Sequence, residues 1–173
     1  MHAFLDESNR SRYFLACALV VPRALNPTRT ALRSMLLPGQ RRLHFNAESE
    51  RRQRELLGRM CSLDLVVRVY EMRARERTAR PALLAALLAD LKDLSVERLV
   101  IESREGRDHL DREVIASMQR HGRASLALVY EHLRPYEEPL LWVSDATAWA
   151  VGAGGDWQRR VAPIITNLGE RAP

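Results

Sequence analysis

An α/β fold is what this sequence predicts: one mixed sheet of five strands with helices on both of its faces. Three observations carry that expectation. Two strand-like apolar runs, residues 2–8 and 14–21, stand close together with only a short polar turn between them. Beyond residue 62, three further strand-like runs alternate with segments of helical periodicity. The chain has 173 residues, 46% of them hydrophobic, which suits one domain burying about 70% of the surface its unfolded chain exposes.

The first run, His2-Ala3-Phe4-Leu5-Asp6-Glu7-Ser8, carries an apolar-leaning strand straight into two adjacent carboxylates. Strand alternation puts His2, Phe4 and Asp6 on one face and Ala3, Leu5 and Glu7 on the other. The two acids therefore meet different surroundings. Residues 14–21 (FLACALVV) form an almost wholly apolar second strand, which Pro22 closes. Residues 24–37 read as a helix ending at Pro38-Gly39, followed by the basic link Arg41-Arg42-Leu43-His44-Phe45. Asn46 is placed to cap a helix over 47–62, with Leu56, Leu57, Met60 and Cys61 as its apolar stripe.

Residues 65–72 (LVVRVYEM) make a third strand, and the charged run 73–80 reads as a solvated or anion-facing loop. Pro81 suits the first turn of a helix that continues through Leu83, Leu84, Leu87, Leu88 and Leu91. A fourth strand, 96–103, finishes beside Glu102. Helix 108–121, strand 125–134 and helix 139–151 follow, and after the break at Gly152, Gly154 and Gly155 a last helix covers 157–165. No linker divides the chain, so residues 1–173 read as a single domain with 24–62 as a helical insertion. Without that insertion, the element order is that of the ribonuclease H fold. Topology of this kind predicts architecture and not activity.

Three acids stand where acids are costly. Asp6 and Glu102 end strands, and Asp145 has Leu141, Trp142, Ala148 and Trp149 three and four residues away on a helix. A desolvated carboxylate needs a partner or a metal. In a ribonuclease H-like sheet the first and fourth strands are neighbours and a late helix crosses their ends, so Asp6, Glu102 and Asp145 would meet. Such a cluster suits two divalent cations acting on a phosphodiester, with hard oxygen ligands for magnesium or manganese. The structural alternatives are a turn or cap at each strand end, and a salt bridge from Asp145 to Arg68 or Arg134. His44 reads either as a general base or substrate contact, or as a structural residue between Leu43 and Phe45.

The formal net charge is +5, and Lys92 is the only lysine among 27 basic residues. Arginine suits bidentate phosphate contact, and the arginine excess is equally what a GC-rich genome produces. Arg41, Arg42, Arg51, Arg52 and Arg104 are the expected nucleic-acid contacts; for the arginines of helix 47–62 the competing reading is a solvated helix face. The glycines at 152–155 lack the lysine and the strand-to-helix setting of a phosphate loop. No run reaches the ~18 apolar residues of a membrane span, and no basic segment precedes an apolar one as in a signal peptide. Two cysteines in such a chain read as buried thiols, and a cytoplasmic location is expected.

FLDES in the first strand, the aliphatic strand after a short turn, LHF near residue 44 and SDATAW in a late helix together resemble the bacterial family called domain of unknown function 3800. Its members carry a similar FLDESG strand, an LH element after a helix, and a late helix with an alanine-aspartate pair. The resemblance implies a ribonuclease H-like, metal-dependent nuclease-like protein. It implies Asp6, Glu7, Glu102 and Asp145 as catalytic acids, with His44 as an adjunct. Asn9 stands where glycine is common, and Glu102 where aspartate is expected. The expected activity is a magnesium- or manganese-dependent phosphodiesterase on DNA or RNA, with Asp6, Glu102 and Asp145 holding metal. The rival is a non-catalytic module, with a degenerate site, that binds nucleic acid or a protein. A protein partner or a homo-oligomer is compatible with either.

Overall fold

The computed structural model describes residues 1–10 and 12–168. Its strands are β1 (His2–Asn9), β2 (Tyr13–Val20), β3 (Val66–Met72), β4 (Arg98–Glu102), β5 (Val129–Leu133) and β6 (Ile165–Leu168). Its α-helices are α1 (Leu25–Arg33), α2 (Glu50–Met60), α3 (Glu76–Asp93), α4 (Asp108–Arg120), α5 (Leu141–Ala153) and α6 (Gly155–Val161). The strands form one mixed sheet in the order β5-β4-β1-β2-β3-β6.

The sheet has six strands, where the sequence reading expects five. Residues 157–165 do not form one helix: α6 stops at Val161, a short 3-10 turn carries Ala162–Ile164, and β6 then pairs parallel to β3. Pro163 supplies no N–H to a continuing helical ladder, and Ile165 and Thr166, both β-branched, suit a strand. β1 and β2 form an antiparallel hairpin, and β1 and β4 are neighbours as expected, paired in parallel. The segment between β2 and β3 is a helical insertion, carrying α1, α2 and two short 3-10 turns.

Alternation along the central strands builds two cores. Phe4, Ala16, Ala18 and Val100 face α1, α2, α5 and α6. Ala3, Leu5, Leu15, Cys17 and Ile101 face α3 and α4. A sheet covered on both faces explains why β2 is buried along its whole length. α5 lies against β1 and β2, and the buried Ser144 hydroxyl donates to the Phe4 carbonyl at 2.7 Å. That bond sets the depth of α5 over the end of β1.

Several boundaries differ from the sequence reading. α1 ends at Arg33 instead of residue 37, and β5 covers only Val129–Leu133. Ser49 caps α2 by accepting from the Arg52 N–H, while Asn46 accepts from the Trp149 indole. The run 73–80 is not a loop throughout: α3 begins at Glu76, and Arg80 is buried. Both cysteines are free, Cys17 is buried, and burial pushes its thiol up to about 12. No helix among the described residues is long and apolar enough to cross a membrane.

Candidate active site

The pairing of β1 with β4 decides which acids meet. Phe4 stands opposite Val100 and Leu5 opposite Ile101. One further step along both strands sets Asp6 beside Glu102, on the face that α5 covers. Asp145 enters from α5, one residue beyond the Ser144 anchor. Asp6, Glu102 and Asp145 all line one cleft of about 370 Å³ at this end of the sheet.

His44 reaches the same cleft by a local device. Its backbone is extended, so its neighbours Leu43 and Phe45 turn inward, 2% and 1% exposed, while His44 faces out. The Phe45 N–H donates to Asp145 Oδ2 at 3.1 Å. Gln53 holds the Phe45 carbonyl, and the Phe45 ring packs edge-on to Trp149. The LHF segment is thereby tied to α5, and the insertion closes one side of the cleft. Trp142, its indole bonded to the Pro135 carbonyl, forms part of the opposite wall.

The electrostatics follow from burial without counter-charge. Burial pushes the Asp6 carboxyl well above the usual range, and Glu102, Asp145 and Glu7 push it further. Burial also raises Glu102, which accepts a hydrogen bond from Asp6; Arg42 draws it partly back. Asp145 is raised by burial, against the opposing pull of the Phe45 N–H, His44 and Arg42. Asp6 and Glu102 are thus both held above the ordinary carboxylate range by burial and by neighbouring acids. Neither Arg68 nor Arg134 bridges Asp145: Arg68 pairs with Asp90, and Arg134 is exposed.

Glu7 behaves differently, as alternation requires. Its carboxylate is ion-paired to Arg80, which is bidentate to Asp111 at 2.7 Å on both arms. His132 and Arg104 also reach Asp111, at 3.3 and 3.2 Å. Arg80, Asp111 and His132 lie behind the cleft, on the α3–α4 side of the sheet, while Glu7 and Arg104 also line the cleft itself. The sequence reading missed Arg80, Asp111 and His132. Asp111 carries the signal that singled out Asp145: it sits four and seven residues before Ile115 and Met118, on the buried stripe of α4.

Of the five arginines expected to contact nucleic acid, Arg42 and Arg104 line the cleft. Arg41 stacks over the Tyr136 ring, and Arg51 is exposed on α2. Arg52 is a structural residue here, bonded to the Met35 carbonyl and to Glu48. These three do not line it.

The donor chemistry fits a hard divalent cation: oxygen ligands only, Asp6 buried and Glu102 and Asp145 half-buried, repelling one another, and without an ion-paired arginine among the described residues. No three His, Cys, Asp or Glu side chains among those residues form a ready-made group to hold an ion. Magnesium is commonly held by one or two carboxylates together with water and substrate phosphate, so the Asp6–Glu102 pair meets that lesser requirement.

No family model matches the sequence, and no curated protein does. Among solved structures, the chain is similar to one reported as the structure of the PCNA:RNase HII complex from Archaeoglobus fulgidus. The two share 19% identity at a TM-score of 0.55, over 86% of this chain and 70% of that one. The likeness is one of architecture: the fold is ribonuclease H-like.

Proposed function

We propose that this chain is a divalent-metal-dependent phosphodiesterase, nuclease-like, acting on DNA or RNA, and that the resemblance to the domain of unknown function 3800 family reflects common ancestry. One observation carries the reading: acids from β1, β4 and α5 converge on one cleft with arginines at its rim, within a ribonuclease H-like fold. Asp6 and Glu102 would hold Mg2+ or Mn2+, with Asp145 completing the set. A bound cation would supply charge stabilisation to the phosphodiester and lower the pKa of a bound water.

The chain's own residues have separable tasks. Arg42 and Arg104 contact phosphate oxygens, for which the guanidinium fork is well shaped. His44 stands at the mouth near Asp145, where it can accept or deliver a proton. Glu7, clamped by Arg80, holds the end of β1 and serves as an auxiliary acid. Trp142 and Leu141 wall the cleft and limit water.

A second reading, a binding module with a degenerate site, draws on the lack of a ready-made three-donor group and on Glu102 where aspartate is expected. Cleavage separates the two. Labelled DNA and RNA oligonucleotides are incubated with Mg2+, Mn2+ or EDTA, using wild type, Asp6→Asn and Asp145→Asn. Cleavage requiring metal and falling at least about 100-fold in both variants supports the enzyme. Binding without cleavage supports the module, and cleavage unchanged by either substitution refutes the assignment of these acids.

A further inference from the structure

A second cavity, of about 610 Å³, opens between the start of α3 and the start of α4. It is larger than the acidic cleft, and its character is different. Pro81, Leu110 and Val114 give it an apolar floor, and Leu110 is 46% exposed despite being a leucine. Five arginines line it against three acids. Two of those acids are already engaged, Asp111 by Arg80 and Glu76 by Arg104 and Arg107. Arg75 and Arg77, both exposed, make no ion pair among the described residues.

Arg104 connects this cavity to the cleft, since it lines both. Its Nη1 bonds Glu76 at 2.6 Å, while its Nε has no hydrogen-bond partner among the described residues and lies 3.8 Å from Glu7. An apolar floor, unpaired guanidinium groups at the rim and one arginine shared with a phosphate-handling cleft together suit one chemistry. That chemistry is a flat base joined to phosphates.

We propose that this cavity is a subsite for the nucleotide flanking the one held in the acidic cleft, on a single strand of nucleic acid. Its base rests on Leu110, Val114 and Pro81. Arg104 holds the phosphate on the ridge between the cavities, and Arg75 and Arg77 hold the next one. The inference rests on the nucleic-acid reading of the cleft and extends it by a strand path across the 103–107 connection.

The test is binding, measured by fluorescence anisotropy of a labelled single-stranded oligonucleotide of about a dozen nucleotides. The background is Asp6→Asn, with and without Mg2+, so that cleavage does not intrude. Arg75→Glu/Arg77→Glu is expected to weaken binding about 10-fold or more. It should also lower the slope of log K against log salt by about 1.4, from about 0.7 per single-strand phosphate contact. Leu110→Ser, which removes the apolar contact without adding charge, should weaken the intact oligonucleotide about 5-fold or more, yet barely change one that is abasic throughout. Should both variants bind like their parent while Arg42→Glu binds more weakly, the subsite is refuted and the cleft reading stands. Failure of parent and wild type alike to bind any strand overturns both. Circular dichroism of each variant confirms folding, and these surface positions are chosen so that the fold is retained.

Discussion

Arg80 and Asp111 have side chains only 4% and 2% exposed, and each is the other's principal counter-charge. The Arg80 guanidinium holds the Asp111 carboxyl well below the usual carboxylate range, although burial alone would raise it. Breaking such a pair on one side leaves a buried charge, at a cost of about 3–5 kcal/mol. Arg80→Ala is therefore expected to lower Tm by about 6–20 °C, taking about 2–4 °C per kcal/mol for a chain of this size. Arg80→Met combined with Asp111→Leu should recover part of the loss, since neither member of the pair is then stranded and Glu7 and Arg104 remain within 3.8 Å of each other. A double variant no better than Arg80→Ala would show that the pair is not the unit that matters. At this scale the sequence was partly legible. Asp6, Glu102 and Asp145 stood out because acids rarely occupy apolar settings, and the structure brings them to one cleft. Arg80 did not, because its partners Glu7 and Asp111 lie 73 and 31 residues away, and charged runs usually face water.

Ser144 is the point at which α5 is tied to the sheet. Ser144 is fully buried with the Phe4 carbonyl as its partner, and because Phe4 also pairs within the sheet, Ser144→Ala removes one hydrogen bond at a cost of about 0.5–1.5 kcal/mol. The expected fall in Tm is about 1–6 °C. Because Asp145 follows in sequence, weaker metal-induced stabilisation should accompany it. A loss of stability with an unchanged metal response would show that α5 places Asp145 by other contacts. The hairpin, the parallel partner of β1 and the insertion were all legible as elements, because their apolar periodicities are long and unambiguous. The edge strand β6 was not. Its four residues follow a helical pattern too closely to declare a new period, and its partner β3 lies about a hundred positions earlier. A strand that short is specified by the free edge it finds, which the local sequence does not display.

Across the whole molecule, the acids fall into two groups with opposite pH signatures. Asp6, Glu102 and Asp145 have folded-state pKa values above their ordinary ones. Between the ordinary and the raised values the native state binds more protons than the unfolded chain, so stability falls as pH rises through that window. Asp111 and Asp108 are held low instead, and the stability they confer is present above the ordinary carboxylate range and lost as pH falls toward their folded values. His2, lowered by burial and Arg98, adds a gain as pH rises below its ordinary value of 6.5. The cleft's share is isolated by subtraction. Asparagine at position 145 keeps an oxygen for the Phe45 N–H but carries no charge, so the groups outside the cleft cancel between wild type and Asp145→Asn, and Asp6 and Glu102, relieved of the Asp145 charge, add to the difference in the same direction. In EDTA, Tm of the variant minus that of the wild type should be near zero at about pH 3 and below, under the ordinary Asp value of 3.8, where Asp145 is mostly protonated in both states. It should become positive as pH rises toward neutrality. Magnesium, binding the native wild type alone, should then raise the wild-type Tm by mass action and reverse the sign of the difference. If the variant is instead less stable at every pH and magnesium moves neither protein, Asp145 is a structural acid, and the cleft does not hold a cation.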